Sequence, residues 1–267
     1  MGVIVAGMHR SGTSVMTGAL HRLGLRVGAE HELIGASRFN RTGHFEVKDL
    51  VIFNEMLLQH LDATWARPPR LDCALQLAEL GRGAWGDRAR EHFARWRPDG
   101  PWVLKDPRFS IVLPFWREVI DEPVEIVIMV RTPTAVAASL ERRSNLSIEH
   151  GLALWERYNQ AALRNSDGLP TFLTHYERFA NDPAGTLCRL VVELGQDDQP
   201  EAANVADAAA IVDVRHHAPV RLADDSNGSD EARDLYRVLA GLDGWLFPGF
   251  VAKLPLETRG LDDVLDP

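Results

Sequence analysis

The chain has 267 residues, of which 45% are hydrophobic, and its formal net charge is −9 at pH 7. This length and apolar content allow one substantial core, so we expect a single domain over residues 1–267. The acidic balance argues against nonspecific binding to nucleic acid or to an anionic membrane, and it requires that any anionic ligand be held by a local cluster of cations.

Cysteine usage and hydropathy indicate the compartment. Cys73 and Cys188 are the two cysteines, and their spacing is that of neither a zinc site nor a disulfide framework. About five apolar residues precede Arg10, too few for a signal peptide, and no apolar run approaches the roughly 18 residues that span a bilayer. We expect a reduced, cytoplasmic protein without stable membrane insertion, and the oligomeric state stays open.

Short apolar, β-branched runs alternate with helical patterns along the chain. Strands are predicted at 3–7, 102–105, 124–130 and 171–175, and helices at 13–24, 48–61, 83–96, 110–119, 133–143, 148–166, 183–195 and 230–243. This alternation predicts an α/β fold with a mainly parallel sheet flanked by helices on both faces. Thr132 and Asp182, each before a proline, are predicted helix N-caps.

Three segments are candidates for substrate or lid loops. Residues 62–82 and 196–229 have little periodicity, and the second is rich in Asp, Ala, Gly, Ser and Asn. Long excursions of this kind in a compact α/β domain are often functional. Residues near 30–48 join them because they carry a candidate catalytic segment described below.

The first chemical motif lies in residues 3–14, where a strand runs into a glycine-bounded loop that opens a helix. The spacing Gly7-x-x-x-x-Gly12 is that of a nucleotide-triphosphate loop, but Thr13 stands where the lysine is expected, and the cation is Arg10. Backbone amides at 11–14 would face an anion at the helix N-terminus. The alternative is a glycine-rich turn with exposed polar residues, and the order strand, loop, helix favours phosphate binding.

A second strand delivers Arg131 to the start of another helix, in which Ser139 follows about two turns later. One arginine and one hydroxyl at this separation fit a second phosphate. The alternative is a salt-bridge arginine and a serine without a role.

Together the two motifs resemble the paired signatures of sulfotransferases that use 3′-phosphoadenosine 5′-phosphosulfate (PAPS), especially the bacterial branch whose loop reads Gly-Met-His-Arg-Ser-Gly-Thr-Ser. The resemblance covers about residues 3–195 in order and spacing. It implies a P-loop-like sulfotransferase fold and PAPS as cosubstrate. It implies that the 5′-phosphosulfate is held by Arg10, Ser11, Gly12, Thr13 and Ser14, and the 3′-phosphate by Arg131 and Ser139.

Two further segments agree with this resemblance. Lys105, at the end of residues 102–105, matches the family's strand lysine, which faces the transferring sulfuryl group. Tyr176, after the strand at 171–175, matches a tyrosine near the adenine, and a core aromatic is the alternative. The segment Arg215-His216-His217 is similar to a late basic segment that closes over the 3′-phosphate in some relatives.

The catalytic base is where the chain departs from one branch of the family. The cytosolic hormone and phenol sulfotransferases carry a catalytic histidine two residues after the lysine, and Pro107 stands there instead. Residues 40–46 resemble the Gly-aromatic-Phe-Glu element of bacterial members, and related carbohydrate sulfotransferases use a glutamate in this region as base. The resemblance therefore implies Glu46 as base, with Asp106 and His44 as substitutes; a helix-start role is the alternative.

The remaining candidates concern the ligands. His44, Phe45 and Asp106 are expected to contact the acceptor, and His9 either contacts the sulfate or only packs. Phe45, Trp65, Trp85 and Trp96 suggest apolar or ring-stacking contact with the acceptor.

The expected reaction is in-line transfer of the sulfuryl group of PAPS to a hydroxyl of a small-molecule, sugar or lipid acceptor, with release of 3′-phosphoadenosine 5′-phosphate (PAP). Glu46 takes the proton, Lys105 and Arg10 stabilise the oxygens, and no metal is expected because the sulfuryl group carries less charge than a phosphoryl group. The alternatives are a nucleotide-dependent small-molecule kinase, which the missing loop lysine disfavours, and a non-catalytic nucleotide-binding regulatory protein of the same fold. The acceptor stays open.

Overall fold

A computed structural model describes residues 1–37, 43–193, 202–212, 230–253 and 264–265, and one five-stranded sheet lies at its centre. The strands are β1 (Gly2–Ala6), β2 (Trp102–Lys105), β3 (Val124–Val130), β4 (Thr171–His175) and β5 (Gly244–Leu246). They lie in the order β2-β1-β3-β4-β5, with the first four parallel and β5 antiparallel to β4. The predicted α/β class, with a mainly parallel sheet flanked by helices, is confirmed.

Helices surround the sheet. They are α1 (Thr13–Arg22), α2 (Lys48–His60), α3 (Ala74–Arg82), α4 (Ala84–Trp96), α5 (Phe109–Val119), α6 (Pro133–Ser144), α7 (Ile148–Ser166), α8 (Tyr176–Asn181), α9 (Pro183–Glu193), α10 (Ala202–Ala209) and α11 (Asp230–Ala240). Short 3₁₀ turns lie at Glu30–Glu32, Leu71–Cys73 and Phe250–Lys253. The predicted helices are present, and the ends of most of them are shifted: α11, for example, ends at Ala240 and not at 243.

Four elements were not predicted, namely β5, α3, α8 and α10. The prediction of irregular connections was wrong for residues 74–82, which form α3, and for residues 202–209, which form α10. Both helices are short, so each carries little more than two turns of apolar periodicity. The remainder of 196–229, apart from 210–212, lies outside the described residues.

The core has two halves because successive side chains of each buried strand point to opposite faces of the sheet. Ile4, Ile126 and Leu173 pack on one face with residues of α2, α5 and α7. Val3 and Val127 pack on the other face with residues of α1 and α9. Burial on both faces explains why these strands read as nearly continuous apolar runs.

Of the two predicted helix N-caps, one is present and the other is not. Asp182 caps α9 as predicted, because its Oδ1 accepts a hydrogen bond of 2.9 Å from the amide of Gly185. Thr132 precedes α6, but its side chain makes no cap. The hydroxyl and the amide of Thr132 both donate to Glu177 Oε1, at 3.1 Å each, so this threonine ties the start of α6 to α8.

The carboxyl ends of the four parallel strands meet at one edge of the sheet. Ligands of open α/β sheets bind outside this edge. No helix in the described ranges is both long and apolar enough to cross a membrane.

Candidate functional site

A cavity of about 430 Å³ lies where the segments after the parallel strands converge. The segments after β1, β2, β3 and β4 all contribute to its wall, as do α2 and α6. Within the described part of the chain, its charged lining residues are one carboxylate, Glu46, and five cations, Arg10, Lys105, Arg108, Arg131 and Arg143. A chain with a net charge of −9 therefore gathers positive charge at this point.

The loop after β1 opens α1 through Gly12, whose φ of 91° places it in the left-handed region. No hydrogen bond to a described residue uses the amides of Gly12, Thr13 or Ser14, which stand at the positive end of the helix dipole. The amide of Ser11 differs, because it donates to the Met8 carbonyl at 3.1 Å. The prediction of an open amide at Ser11 was therefore wrong: the loop turns back on itself at that residue.

The side chain of Ser11 also lies away from the cavity. Ser11 is fully buried and is not among the cavity-lining residues, and within the described ranges its hydroxyl has no hydrogen-bond partner. Thr13 and Ser14 line the cavity.

Gly12 allows close packing against Tyr176. A Cβ atom at Gly12 would lie 2.3 Å from Cδ2 of Tyr176, so no other residue fits without displacing the ring. Tyr176 lines the cavity, and the guanidinium carbon of Arg131 lies 4.6 Å from the centre of its ring, within the range of a cation–π contact. The predicted loop, arginine and tyrosine thus form one contiguous surface.

Arg10 joins the two predicted phosphate motifs. Its Nε donates to Ser139 Oγ at 2.9 Å, and its carbonyl accepts from Arg131 Nη1 at 3.1 Å. The backbone of Arg10 has a φ of 72°, which a non-glycine residue seldom adopts. Burial, and then the nearby charges of Arg143, Arg131 and Arg142, lower the pKa of Arg10 to about 10. Such crowding of like charges is typical of a site that binds an anion.

Arg131 is held by its backbone at the end of β3. Its carbonyl accepts a hydrogen bond of 2.8 Å from the indole of Trp155, a fully buried residue of α7. Burial lowers the pKa of Arg131, the charge of Glu177 raises it, and that of Arg142 lowers it. Its Nε is buried and has no hydrogen-bond partner among the described residues, which leaves a donor for a ligand or water.

Lys105 makes three hydrogen bonds at the end of β2. Its Nζ donates to Glu46 Oε1 at 2.5 Å, to Ser14 Oγ at 3.0 Å and to the His44 carbonyl at 3.3 Å. The lysine side chain is 3% exposed and that of Glu46 11%. The predicted base and the predicted sulfuryl-contacting lysine therefore form a largely buried ion pair.

Glu46 is placed by pairing between the two ends of residues 33–47. Leu33 and Val47 form an isolated antiparallel bridge, and the Ile34 amide donates to the Glu46 carbonyl at 2.8 Å. His44 and Glu46 both line the cavity.

Phe45, between these two residues, does not line the cavity. Its φ of 53° lies in the left-handed region, and its ring packs on α1, close to Gly18 and 6.4 Å from the ring of His21. Its predicted contact with the acceptor gains no support from this placement.

Asp106 is fully buried and lies outside the cavity lining. Its Oδ2 accepts from Asn54 at 2.9 Å, and its Oδ1 accepts from the amide and Nη1 of Arg108 at 3.0 and 2.9 Å. Arg108 also donates from Nε to Glu55 at 2.6 Å. Asp106 thus orients a cavity-lining arginine, a role different from the predicted contact with the acceptor or substitute base.

His9 lines the cavity and packs against aromatic rings. Its ring centre lies 4.9 Å from that of Trp65 and 5.8 Å from that of Tyr158. Burial, followed by the charges of Arg108 and Lys105 among others, lowers the pKa of His9 well below the ordinary value, so the imidazole is neutral near pH 7. Its Nε2 is buried, and no atom in the described part of the chain forms a hydrogen bond with it.

The pKa of His44 is also lowered, although its causes oppose one another. Burial lowers its pKa, Glu46 raises it, and Lys105, Arg143 and Arg10 lower it. Its Nε2 lies 3.1 Å from Ser37 Oγ. His44 lines the same cavity as the Lys105–Glu46 pair.

Sequence reasoning did not assign Arg143, which lines the cavity with Leu140 and Ser144 from the last turns of α6. The available signal was spacing, since Arg143 follows Ser139 by four residues and lies on the same helix face. Arg108, which also lines the cavity, was not assigned either.

The aromatic residues suggested to contact the acceptor lie in different places. Trp65 lines the cavity. Trp85 and Trp96 instead pack edge-on against Phe53 of α2.

Some predictions fall on residues outside those described. The segment Arg215-His216-His217 and residues 38–42, which include the start of the Glu46 segment, belong to this group. Over the described ranges, no group of three or more His, Cys, Asp or Glu side chains is arranged to hold a metal ion.

Comparison with known proteins gives structural likenesses alone. No protein-family model matches the chain, and no curated protein matches it. The sulfotransferase domain from the Synechococcus PCC 7002 olefin synthase superposes with a TM-score of 0.40 and 15% identity, covering 100% of this chain and 88% of that one. The sulfotransferase domain from the curacin biosynthetic pathway gives 0.42 and 15%, covering 98% and 89%. At these values neither likeness assigns an activity, and the functional proposal below rests on the site.

Proposed function

We propose that this protein is a PAPS-dependent sulfotransferase, which transfers the sulfuryl group to a hydroxyl of a small-molecule, sugar or lipid acceptor and releases PAP. The observation that carries the proposal is one cavity in which the Lys105–Glu46 pair lies beside Arg10, Arg131 and the amides at the start of α1. A general base beside a cluster of cations is what transfer of an anionic group to a hydroxyl requires.

The cationic end of the cavity suits the two anionic groups of PAPS. The open amides of Gly12, Thr13 and Ser14 would hold the 5′-phosphosulfate, because backbone donors at a helix N-terminus favour anions. Arg131 and Ser139, which Arg10 already links, would hold the 3′-phosphate. The ring of Tyr176 offers a flat surface for the adenine.

The transfer step balances without a redox partner. The acceptor oxygen forms a bond to sulfur while the bond between sulfur and the bridging phosphate oxygen breaks, and that oxygen leaves with the electron pair as part of PAP. Glu46 takes the proton of the acceptor hydroxyl. Lys105 and Arg10 stabilise the negative charge on the sulfuryl oxygens and on the leaving phosphate.

The acceptor would enter beside the apolar part of the cavity. Ile34, Val51 and Trp65 line it together with Glu46. These residues suit a hydroxyl attached to an aliphatic or aromatic body, and Trp65 also suits the face of a sugar ring.

Thermal unfolding with nucleotides tests the cosubstrate. PAP without magnesium should raise the melting temperature, because a ligand that binds only the folded state stabilises it. A kinase would respond instead to magnesium and ATP, and that pattern would contradict the proposal. Mass spectrometry of a host extract incubated with PAPS and enzyme should then reveal a sulfated product; tight PAP binding without any product would favour the non-catalytic alternative.

Glu46→Gln tests the base. The amide keeps the shape of the carboxylate but does not take a proton, so turnover should fall by at least about 100-fold while PAP still binds. Steady-state turnover and PAP affinity of the variant and the wild type are the measurements. Turnover close to that of the wild type would rule out Glu46 as base.

A further inference from the structure

We propose that, when the cosubstrate binds, Lys105 exchanges its contact with Glu46 for a contact with the sulfonate. The base Glu46 is therefore released only in the loaded enzyme. Ser14 is a positioning residue that holds the lysine during the exchange. This inference rests on the proposed function and adds a binding order to it, with the cosubstrate first. In this inference the main role of the Ser14 hydroxyl is to accept a hydrogen bond from Lys105, and not to bind the phosphosulfate.

The number of protons on the Lys105 ammonium group limits how many acceptors it can bind. An ammonium group has three protons, and those of Lys105 have three acceptors: Glu46 Oε1, Ser14 Oγ and the His44 carbonyl. The lysine side chain is 3% exposed, so little surface is left for a fourth partner. A sulfonate that contacts Lys105 must therefore replace one of the three acceptors.

The fixed positions of the acceptors decide which one is replaced. The His44 carbonyl belongs to backbone that is held by the hydrogen bonds between Ile34 and the residues His44 and Glu46. Ser14 lies in the first turn of α1. Glu46 reaches Lys105 through a flexible side chain at the cavity wall, so it can move away without a change in the backbone.

Repulsion between the sulfonate and the Glu46 carboxylate also favours replacement of Glu46. The sulfonate and the Glu46 carboxylate are both anions, and they repel each other if they share one ammonium group in a buried site. Ser14 is neutral, and its hydroxyl accepts from Lys105 while its own proton stays available for the ligand. The anion therefore displaces the carboxylate and leaves the serine in place.

The consequence is that the base acts only beside a bound donor. While Lys105 donates to Glu46 Oε1 at 2.5 Å, that oxygen is poorly placed to accept a proton. After the exchange, the carboxylate stands free at the cavity wall next to the incoming hydroxyl.

The test compares two ligands that differ by the sulfonate. Affinities of PAPS and PAP are measured by equilibrium binding without acceptor for the wild type, Glu46→Gln and Glu46→Asp. In Glu46→Gln the PAPS affinity should rise about tenfold relative to the PAP affinity, because the competing anion is gone. The shorter Glu46→Asp should change the ratio in the same direction by less.

Glu55→Gln is the matched control. Glu55 is a second ion-paired carboxylate near the site, bound to Arg108 and not itself among the cavity-lining residues, so its replacement should leave the PAPS to PAP ratio unchanged. Ser14→Ala should lower turnover without raising that ratio, and Ser14→Thr, which keeps the hydroxyl, should restore turnover.

Two outcomes would overturn the inference. One is a ratio unchanged in both Glu46 variants, and the other is a ratio raised by Ser14→Ala and not by Glu46→Gln. PAP binding in each variant reports that the site is folded. If the wild type binds neither nucleotide, the proposed function itself fails, which differs from failure of the exchange alone.

Discussion

Gly12 shows how one residue of the loop serves both backbone conformation and packing. Its φ of 91° is strained for any residue with a side chain, and its Cα faces the ring of Tyr176. The sequence predicted the glycine from the loop spacing. The reason why Tyr176 lies beside it became visible only in the fold, because the two residues belong to different strand ends.

Gly12→Ala is expected to destabilise the protein more than Gly24→Ala. Gly24 has a similar φ of 103°, but a Cβ there meets nothing within 4 Å, so it reports the backbone strain alone, roughly 1–2 kcal/mol. At Gly12 the 2.3 Å approach to Tyr176 adds an overpacking cost of about 1–3 kcal/mol. Urea unfolding of both variants measures the free energies, and equal losses would show that the ring yields without cost.

Phe45 illustrates a residue that could not be assigned from its neighbours. It stands between two cavity residues, yet its left-handed backbone directs the ring to α1. A pattern of residue types does not reveal a positive φ at a phenylalanine, because such a conformation is maintained by tertiary packing.

Among the elements, α6 lines the cavity with its C-terminal half, through Leu140, Arg143 and Ser144. Its start follows Arg131, Ser139 lies in its middle, and Arg143 lies near its end. Unlike those of Lys105 and Arg108, the side chain of Arg143 forms no hydrogen bond or ion pair with the described residues, and its charge acts on Arg10 and His44.

Arg143→Ala should weaken PAP binding roughly threefold to tenfold at low salt, because it removes a cation that lines the cavity. The dependence of PAP affinity on salt should become shallower as well. Arg142→Ala, at an adjacent position that does not line the cavity, should have a smaller effect. Equal losses in the two variants, measured by titration at several salt concentrations, would mean that overall charge and not the cavity contact matters.

The elements that were missed share a physical cause. α3 and α10 have nine and eight residues, so their periodicity is brief, and tertiary contacts stabilise them. α8 begins directly after β4 and has six residues, so it carries less than two turns of helical periodicity. The long and strongly patterned elements, such as β3 and α7, were predicted with the observed bounds.

At the scale of the whole molecule, buried histidines couple folding to pH. Burial is the largest cause that lowers the pKa of His9, His44 and His175 in the folded state. The unfolded chain, with histidine pKa values near 6.5, then binds more protons below that pH. Each of these histidines therefore contributes stability that is present above about pH 6.5 and is lost as the pH falls toward its folded-state pKa.

His9→Gln isolates one of these contributions. The free energy of unfolding of the wild type should fall between pH 7 and 5.5 by up to about 1.4 kcal/mol per pH unit more than that of the variant. The raised pKa values of Glu125, about 7, and of Asp106 act in the opposite direction, so the difference between the two proteins is the measured quantity. Urea unfolding at both pH values gives the change in the free energy of unfolding with pH, and the exposed His31→Gln is the control. An equal change for the wild type and His9→Gln would contradict the expectation.

The sequence by itself determined the α/β class, the four parallel strands and the chemical character of their carboxyl ends, because apolar periodicity and a glycine-bounded turn are local properties. The tertiary structure decided which of these residues meet. Lys105 is 59 residues from Glu46 and 91 from Ser14, and Arg10 is 129 from Ser139. Contacts over such separations depend on the order of strands in the sheet and on the helices that cross it, which no local pattern records.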